Sequence, residues 1–144
     1  MTMKEMTAGT FETCAVHKIS ASDTNKFVLL CDGSQAGFVS VVEIFEPGGQ
    51  TPPNIHKEAQ EYFYVLYGEG VAIVDEARVP LKQGSFMVVP PQSTHQVLNT
   101  GASRLYTLTT MVPDEDFSDL IKAGPKAELD EEDKRVLSGA IAGS

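Results

Sequence analysis

Eight short runs of β-branched and aromatic residues fill the chain from Lys26 to Met111, each closed by a turn signal. They read KFVLLC, GFVSVVEIFE, EYFYVLYG, GVAIVD, ARVPL, SFMVVP, THQVLN and RLYTLTT. Between them stand Asp32-Gly33, Pro47-Gly48-Gly49, Gly68-Glu69-Gly70, Gly84, Pro90-Pro91 and Gly101. Many short strands without helices between them predict an all-β antiparallel sandwich or barrel. Alternation assigns faces within the runs. His95, Val97 and Asn99 fall on one side of their strand, and Glu61, Phe63, Val65 and Tyr67 on one side of theirs. Glu61 therefore shares a face with apolar side chains, an odd place for a solvated carboxylate.

The ends of the chain differ from this body. Residues 1–25 are weakly patterned, with room for one or two edge strands. Residues 26–112 form the predicted barrel, and residues 113–144 a helical segment. Asp114 is placed to cap a first helix, with Phe117, Leu120 and Ile121 as its apolar stripe and Gly124 as its end. Asp130 can cap a second, with Val136, Leu137 and Ile141 on its apolar side. The 42% apolar content suffices for one core, and no stretch reaches the roughly 20 apolar residues of a membrane-spanning helix. The N-terminal MTMKEMTAGTFET lacks the apolar region of a secretory signal, so a cytoplasmic location is expected. The 20 acidic residues outnumber the 11 basic ones, and a net charge of -9 repels phosphate backbones, which argues against nucleic acid as a partner. The late acidic runs PDEDFSD and ELDEEDKR read as a solvated helical face. Cys14 and Cys31 form no CxxC pair and read as reduced thiols.

Histidine is the most informative residue type. Of three, two lie in spaced patterns: Gly48, Asn54, His56, Glu61 and Gly68, then Gly84, Pro90, His95 and Asn99. These resemble the two motifs of the cupin family. The first motif runs Gly, five residues, His-x-His, three or four residues, Glu, six residues, Gly; GGQTPPNIHKEAQEYFYVLYG read from Gly48 departs only at Asn54. The second runs Gly, five residues, Pro-x-Gly, two residues, His, three residues, Asn; GSFMVVPPQSTHQVLN departs only at Gln92. Eight of the ten specified positions agree, with 15 residues between Gly68 and Gly84. The resemblance implies a double-stranded β-helix, or jelly-roll barrel, with the one or two short helices packed outside. It also implies a homodimer, since small cupins often pair through their sheets.

The residue types support a metal site independently. A transition metal needs neutral imidazoles and a carboxylate brought together from different strands, and two His with one carboxylate leave positions open for substrate or dioxygen. His56, Glu61 and His95 are the candidate ligands, for Fe, Mn, Ni or Zn. Their liganding atoms should lie within about 5 Å of one another. Asn54 is the fourth candidate, expected to face the same cavity as a weaker donor than imidazole. Two histidines packed in an apolar pocket, or Glu61 paired with Lys57, are the structural alternatives. Gln60 should face away, and His17 reads as an ordinary surface or edge-strand residue. Phe63, Val65 and Tyr67, with Phe86 and Val88, are the expected apolar lining. Arg104 and Lys82 read as solvated, with an anion-anchoring role as the alternative. Gly48 and Gly84 are expected where a side chain would clash, and Gly68-Glu69-Gly70 in a tight hairpin. Two functions fit: a mononuclear metalloenzyme, dioxygenase- or isomerase-like, acting on a small organic molecule, or a non-catalytic barrel that binds or senses a small ligand.

Overall fold

The computed structural model describes residues 6–139. Each of the eight runs supplies one strand: β2 (Lys26–Cys31), β3 (Val39–Phe45), β4 (Gln60–Tyr67), β5 (Gly70–Val74), β6 (Ala77–Leu81), β7 (Phe86–Val89), β8 (His95–Leu98) and β9 (Leu105–Val112). The N-terminal segment adds one edge strand, β1 (Ala15–His17). Every pairing is antiparallel, in a six-stranded sheet ordered β1-β2-β3-β9-β4-β7 and a three-stranded sheet ordered β6-β5-β8. Together they form a jelly-roll barrel. Among the described residues three short α-helices accompany it: α1 (Gly33–Ala36), α2 (Phe117–Ala123) and α3 (Glu131–Leu137). No helix among the described residues is long and apolar enough to cross a membrane.

Register decides what faces inward. Across the large sheet Phe27, Glu43, Thr107 and Val65 form one interior row. Val41, Thr109 and Phe63 form the next, and Val39, Met111, Glu61 and Val89 the last. The first end of the barrel closes on Phe45, Phe63, Val65, Val97 and Leu105. The other end remains open beneath α2, which covers Phe27, Val39 and Met111 with Ile121 and Phe117. A separate cluster, Val28, Val42, Ile44 and Tyr106, lies on the outer face under α3 and the N-terminal segment.

Several details differ from expectation. Phe86 and Val88 point outward, 67% and 54% exposed, while Met87 and Val89 are buried. All four are apolar, so alternation alone cannot choose the face; pairing of Val89 with Glu61 and Met87 with Phe63 does. Tyr67 leaves the interior because the register shifts after Val65, and it packs on Tyr106 instead. Gly48 and Gly84 are required by positive φ, 81° and 88°, and a Cβ at either meets nothing within 4 Å. Asp32-Gly33 opens the one-turn helix α1, capped by Asp32.

The C-terminal helices follow the same logic. The N-cap of α2 is Asp116; Asp114 instead accepts from the backbone and hydroxyl of Ser118. Ile121 is buried as expected, but Leu120 is half exposed. Asp130 caps α3 in a reciprocal box with Asp133, and Val136 and Leu137 pack on the outer cluster. Ile141 lies outside the described residues. The acidic runs are not wholly solvated: Asp114 and Asp133 are buried, Asp133 between Lys26, Arg104 and the Tyr106 hydroxyl.

Candidate metal centre

His56, Glu61 and His95 converge at the open end of the barrel. Their liganding atoms all lie within 4.8 Å of one another. Each arrives by a different route. Glu61, the second residue of β4, lies in the interior row and is 7% exposed. His95 begins β8 on the smaller sheet and is 3% exposed. His56 sits in the loop before β4, half-buried, its carbonyl accepting from Gln92 N at 2.8 Å.

Glu61 turns one oxygen to each imidazole: Oε1 to His56 Nε2 and Oε2 to His95 Nε2, both at 3.2 Å. An ionised carboxylate can only accept, so in this arrangement both Nε2 atoms carry hydrogen. Burial pushes the Glu61 carboxyl up, but the hydrogen bonds and charges of the two histidines outweigh it and hold it low. The hydrogen bond to Glu61 raises His56, against burial. A cation that displaced the two Nε2 hydrogens would find two nitrogens and a carboxylate aimed at one point. The group can therefore bind a divalent metal. Lys57 makes no pair with Glu61, and Gln60 is exposed.

Asn54 lines the same cavity and is exposed at its mouth. Its backbone pairs with His95 in both directions, N to O at 2.9 Å and 2.8 Å, fixing His95 to this loop. Gln92 adopts φ 71°, the left-handed conformation a glycine favours, and its amide donates to Lys57 O at 2.8 Å. The glycine missing from the second motif is thus replaced by a side chain that ties down the His56 loop. Glu115, just after β9, accepts from the amides of Lys57, Glu58 and Ala59. Partial desolvation raises its carboxyl, but these amides prevail and lower it.

The cavity has a volume of about 850 Å³. Its apolar wall includes Phe27, Phe63, Met111 and Phe117, and α2 contributes Leu120 at the rim. Phe63 packs edge-on to His95, ring centroids 6.0 Å apart. Arg104 and Lys82 do not reach it. Arg104 instead bridges Glu46, Asp130, Glu132 and Asp133. His17 is buried, not a surface residue; its ring lies in edge strand β1, with Nδ1 3.0 Å from Gly124 O.

Among the polar residues of this cavity that escaped sequence reasoning are Asn25 and Glu43. Glu43 carried a readable signal, since alternation through Val39, Val41 and Phe45 places it inside. Asn25, in a weakly patterned segment, carried none.

Residues 41–111 match the family model described as the cupin domain. Joined to the jelly-roll architecture, this shows that the chain carries a domain of the cupin family. Among curated relatives, it is 29% identical over 75 residues to the uncharacterised protein MJ1618 of Methanocaldococcus jannaschii, covering 51% of this chain and 60% of that protein. It is 24% identical over 113 residues to protein SchB of Streptomyces halstedii, covering 76% of each. Among solved structures, a predicted oxalate decarboxylase from Thermotoga maritima superposes with a TM-score of 0.63 at 21% identity, covering 71% of this chain and 95% of that one.

Proposed function

We propose that this protein is a metal-binding cupin whose His56, Glu61 and His95 hold one divalent ion, and that it acts on a small organic molecule in the adjoining cavity. The convergence of the three liganding atoms within 4.8 Å carries the reading. Three protein donors leave coordination positions free, and a bound ion supplies Lewis-acid polarisation or dioxygen chemistry there. Asn54 is the weaker donor at the rim, so the fourth position belongs to water or to the ligand. The protein's own part is to orient the imidazoles through Glu61, Asn54 and Gln92, and to exclude water with the aromatic wall. Oxygenation and isomerisation are the reaction types that such a centre supports. The likeness to a predicted oxalate decarboxylase is in keeping with a small oxygen-rich substrate. The presence of an amide where the family pattern has its first imidazole favours the second reading, a barrel that binds or senses a ligand without turnover.

Metal analysis of protein purified without chelator or added metal tests this. About one equivalent of a transition metal is expected, lost in His95→Ala. Metal-free native protein that also takes up no Zn, Mn, Ni or Fe(II) would refute it. We further propose that two copies pair through the outward face of β4 and β7, where Tyr62, Tyr64, Phe86 and Val88 are exposed on an edge of the large sheet.

A further inference from the structure

The cavity holds a second buried carboxyl that the metal reading does not use. Glu43 is 5% exposed, on the interior face of β3, and lines the same cavity as His56, Glu61 and His95. Its interior neighbours across the sheet are Phe27 and Thr107, neither of which can neutralise it. Its one side-chain partner is Asn25, whose Nδ2 donates to Oε2 at 2.9 Å. The charges that act on it, Glu61 and Asp23, are both negative, and Glu61 is in turn hydrogen-bonded to His56 and His95. Burial, opposed by the Asn25 hydrogen bond, pushes its pKa up to about 8. Asn25 is itself 2% exposed, and its Oδ1 has no hydrogen-bond partner. Burying a carboxyl and an amide oxygen this way opposes folding, and an apolar pair would fill the row at lower cost. A group kept protonated at neutral pH, yet able to ionise, is suited to exchanging a proton with a ligand.

We propose that Glu43, positioned by Asn25, is the proton donor and acceptor of this cavity, serving a small aromatic hydroxy acid bound between it and the His56–Glu61–His95 cluster. The proposal rests on the reading of that cluster as a metal site. The ligand class follows from the walls. Rings and polar groups stand side by side along them: Phe27 is next to Glu43 across the sheet, Phe63 lies edge-on to His95, and Phe117 completes the apolar wall, so a ligand whose oxygens meet the cluster and Glu43 sets its ring against these three. Glu43 gives its carboxyl proton to a ligand oxygen, is left as carboxylate, and recovers a proton from the ligand or from water.

The test uses full-length protein labelled with 13C at the glutamate carboxyls, with the Glu43 signal assigned by its loss in Glu43→Gln. In metal-free protein that signal should titrate near pH 8, far above ordinary glutamates at about 4.3. Asn25→Ala should raise the midpoint further. Saturating Zn2+ should lower it by about one pH unit, because a cation now faces it, and at about pH 6, where Glu43 stays protonated with or without the ion, Glu43→Gln should bind Zn2+ as the native protein does. Mandelate, an aryl 2-hydroxy acid, is the ligand probe: with Zn2+ bound, its affinity for Glu43→Gln should fall about tenfold, the loss of roughly one charge-assisted hydrogen bond. An ordinary midpoint in metal-free protein overturns the proposal, as does mandelate that fails to bind or binds both proteins equally. Failure of the native protein to bind Zn2+ overturns the metal reading, and the metal-free titration then decides whether Glu43 is a proton donor.

Discussion

Glu43 also couples the cavity to the stability of the fold. Its pKa is about 8 in the folded protein against 4.5 for a free glutamate. Between those values the folded state keeps a proton that the unfolded chain has shed. The contribution of Glu43 is therefore fully present below pH ~4.5 and is lost as pH rises towards 8, by up to about 1.4 kcal/mol per pH unit for one proton. Glu43→Gln, neutral at every pH, should flatten this slope. Denaturant unfolding at several pH values between about 5 and 8 measures it, and a variant that keeps the native slope would show that Glu43 is ionised in the fold.

At the scale of elements, the loop before β4 is held from both sides, by Gln92 and by Glu115. Glu115→Ala leaves the amides of Lys57, Glu58 and Ala59 without their common acceptor. The loop that presents His56 should loosen, and Zn2+ affinity should drop about tenfold, as for other groups that orient a metal ligand. Isothermal titration reads this; native affinity in the variant would mean that Gln92 alone suffices. Elements are also where the sequence was most and least legible. The eight strand runs could be read because alternation and turn residues are local, and the convergence of His56, Glu61 and His95 because the spacing of the two motifs carries it. The outward turn of Phe86 and Val88 could not, since every residue of FMVV is apolar and only cross-strand register separates the faces. Tyr67 failed for a related reason, a register shift that no local pattern marks. Asp133 read as solvent-facing acid because its partners, Lys26, Arg104 and Tyr106, lie far away in the chain.

For the whole molecule, that last group fastens the C-terminal helix to the barrel. The Asp133 side chain is fully buried and joined to Lys26, Arg104 and the Tyr106 hydroxyl, while Arg104 also reaches Asp130 and Glu46. Burial and the neighbouring Asp133 raise the Tyr106 hydroxyl well above its usual range, so it serves as donor throughout the accessible pH. Asp133→Ala leaves Lys26 without its carboxylate and the Tyr106 hydroxyl without its acceptor, while Arg104 keeps Glu46, Asp130 and Glu132, and should destabilise the fold by roughly 3 kcal/mol; a loss below about 1 kcal/mol in urea unfolding would show that the cluster is dispensable. The proposed pairing of two copies makes a separate prediction. Phe86→Glu, on an exposed face where Phe86 stacks on Tyr62, should convert a dimer to a folded monomer by light scattering. An unchanged mass would move the interface elsewhere.

The origin of the three clustered side chains has one more consequence. Glu61 belongs to the large sheet and His95 to the small one, which share no ladder of hydrogen bonds at this end. His56 belongs to neither, being carried by the loop that crosses between them. An ion gripping all three would act as a rivet through separate plates. Filling the centre and closing the mouth of the barrel would then be one equilibrium, and the empty protein would breathe at this end first.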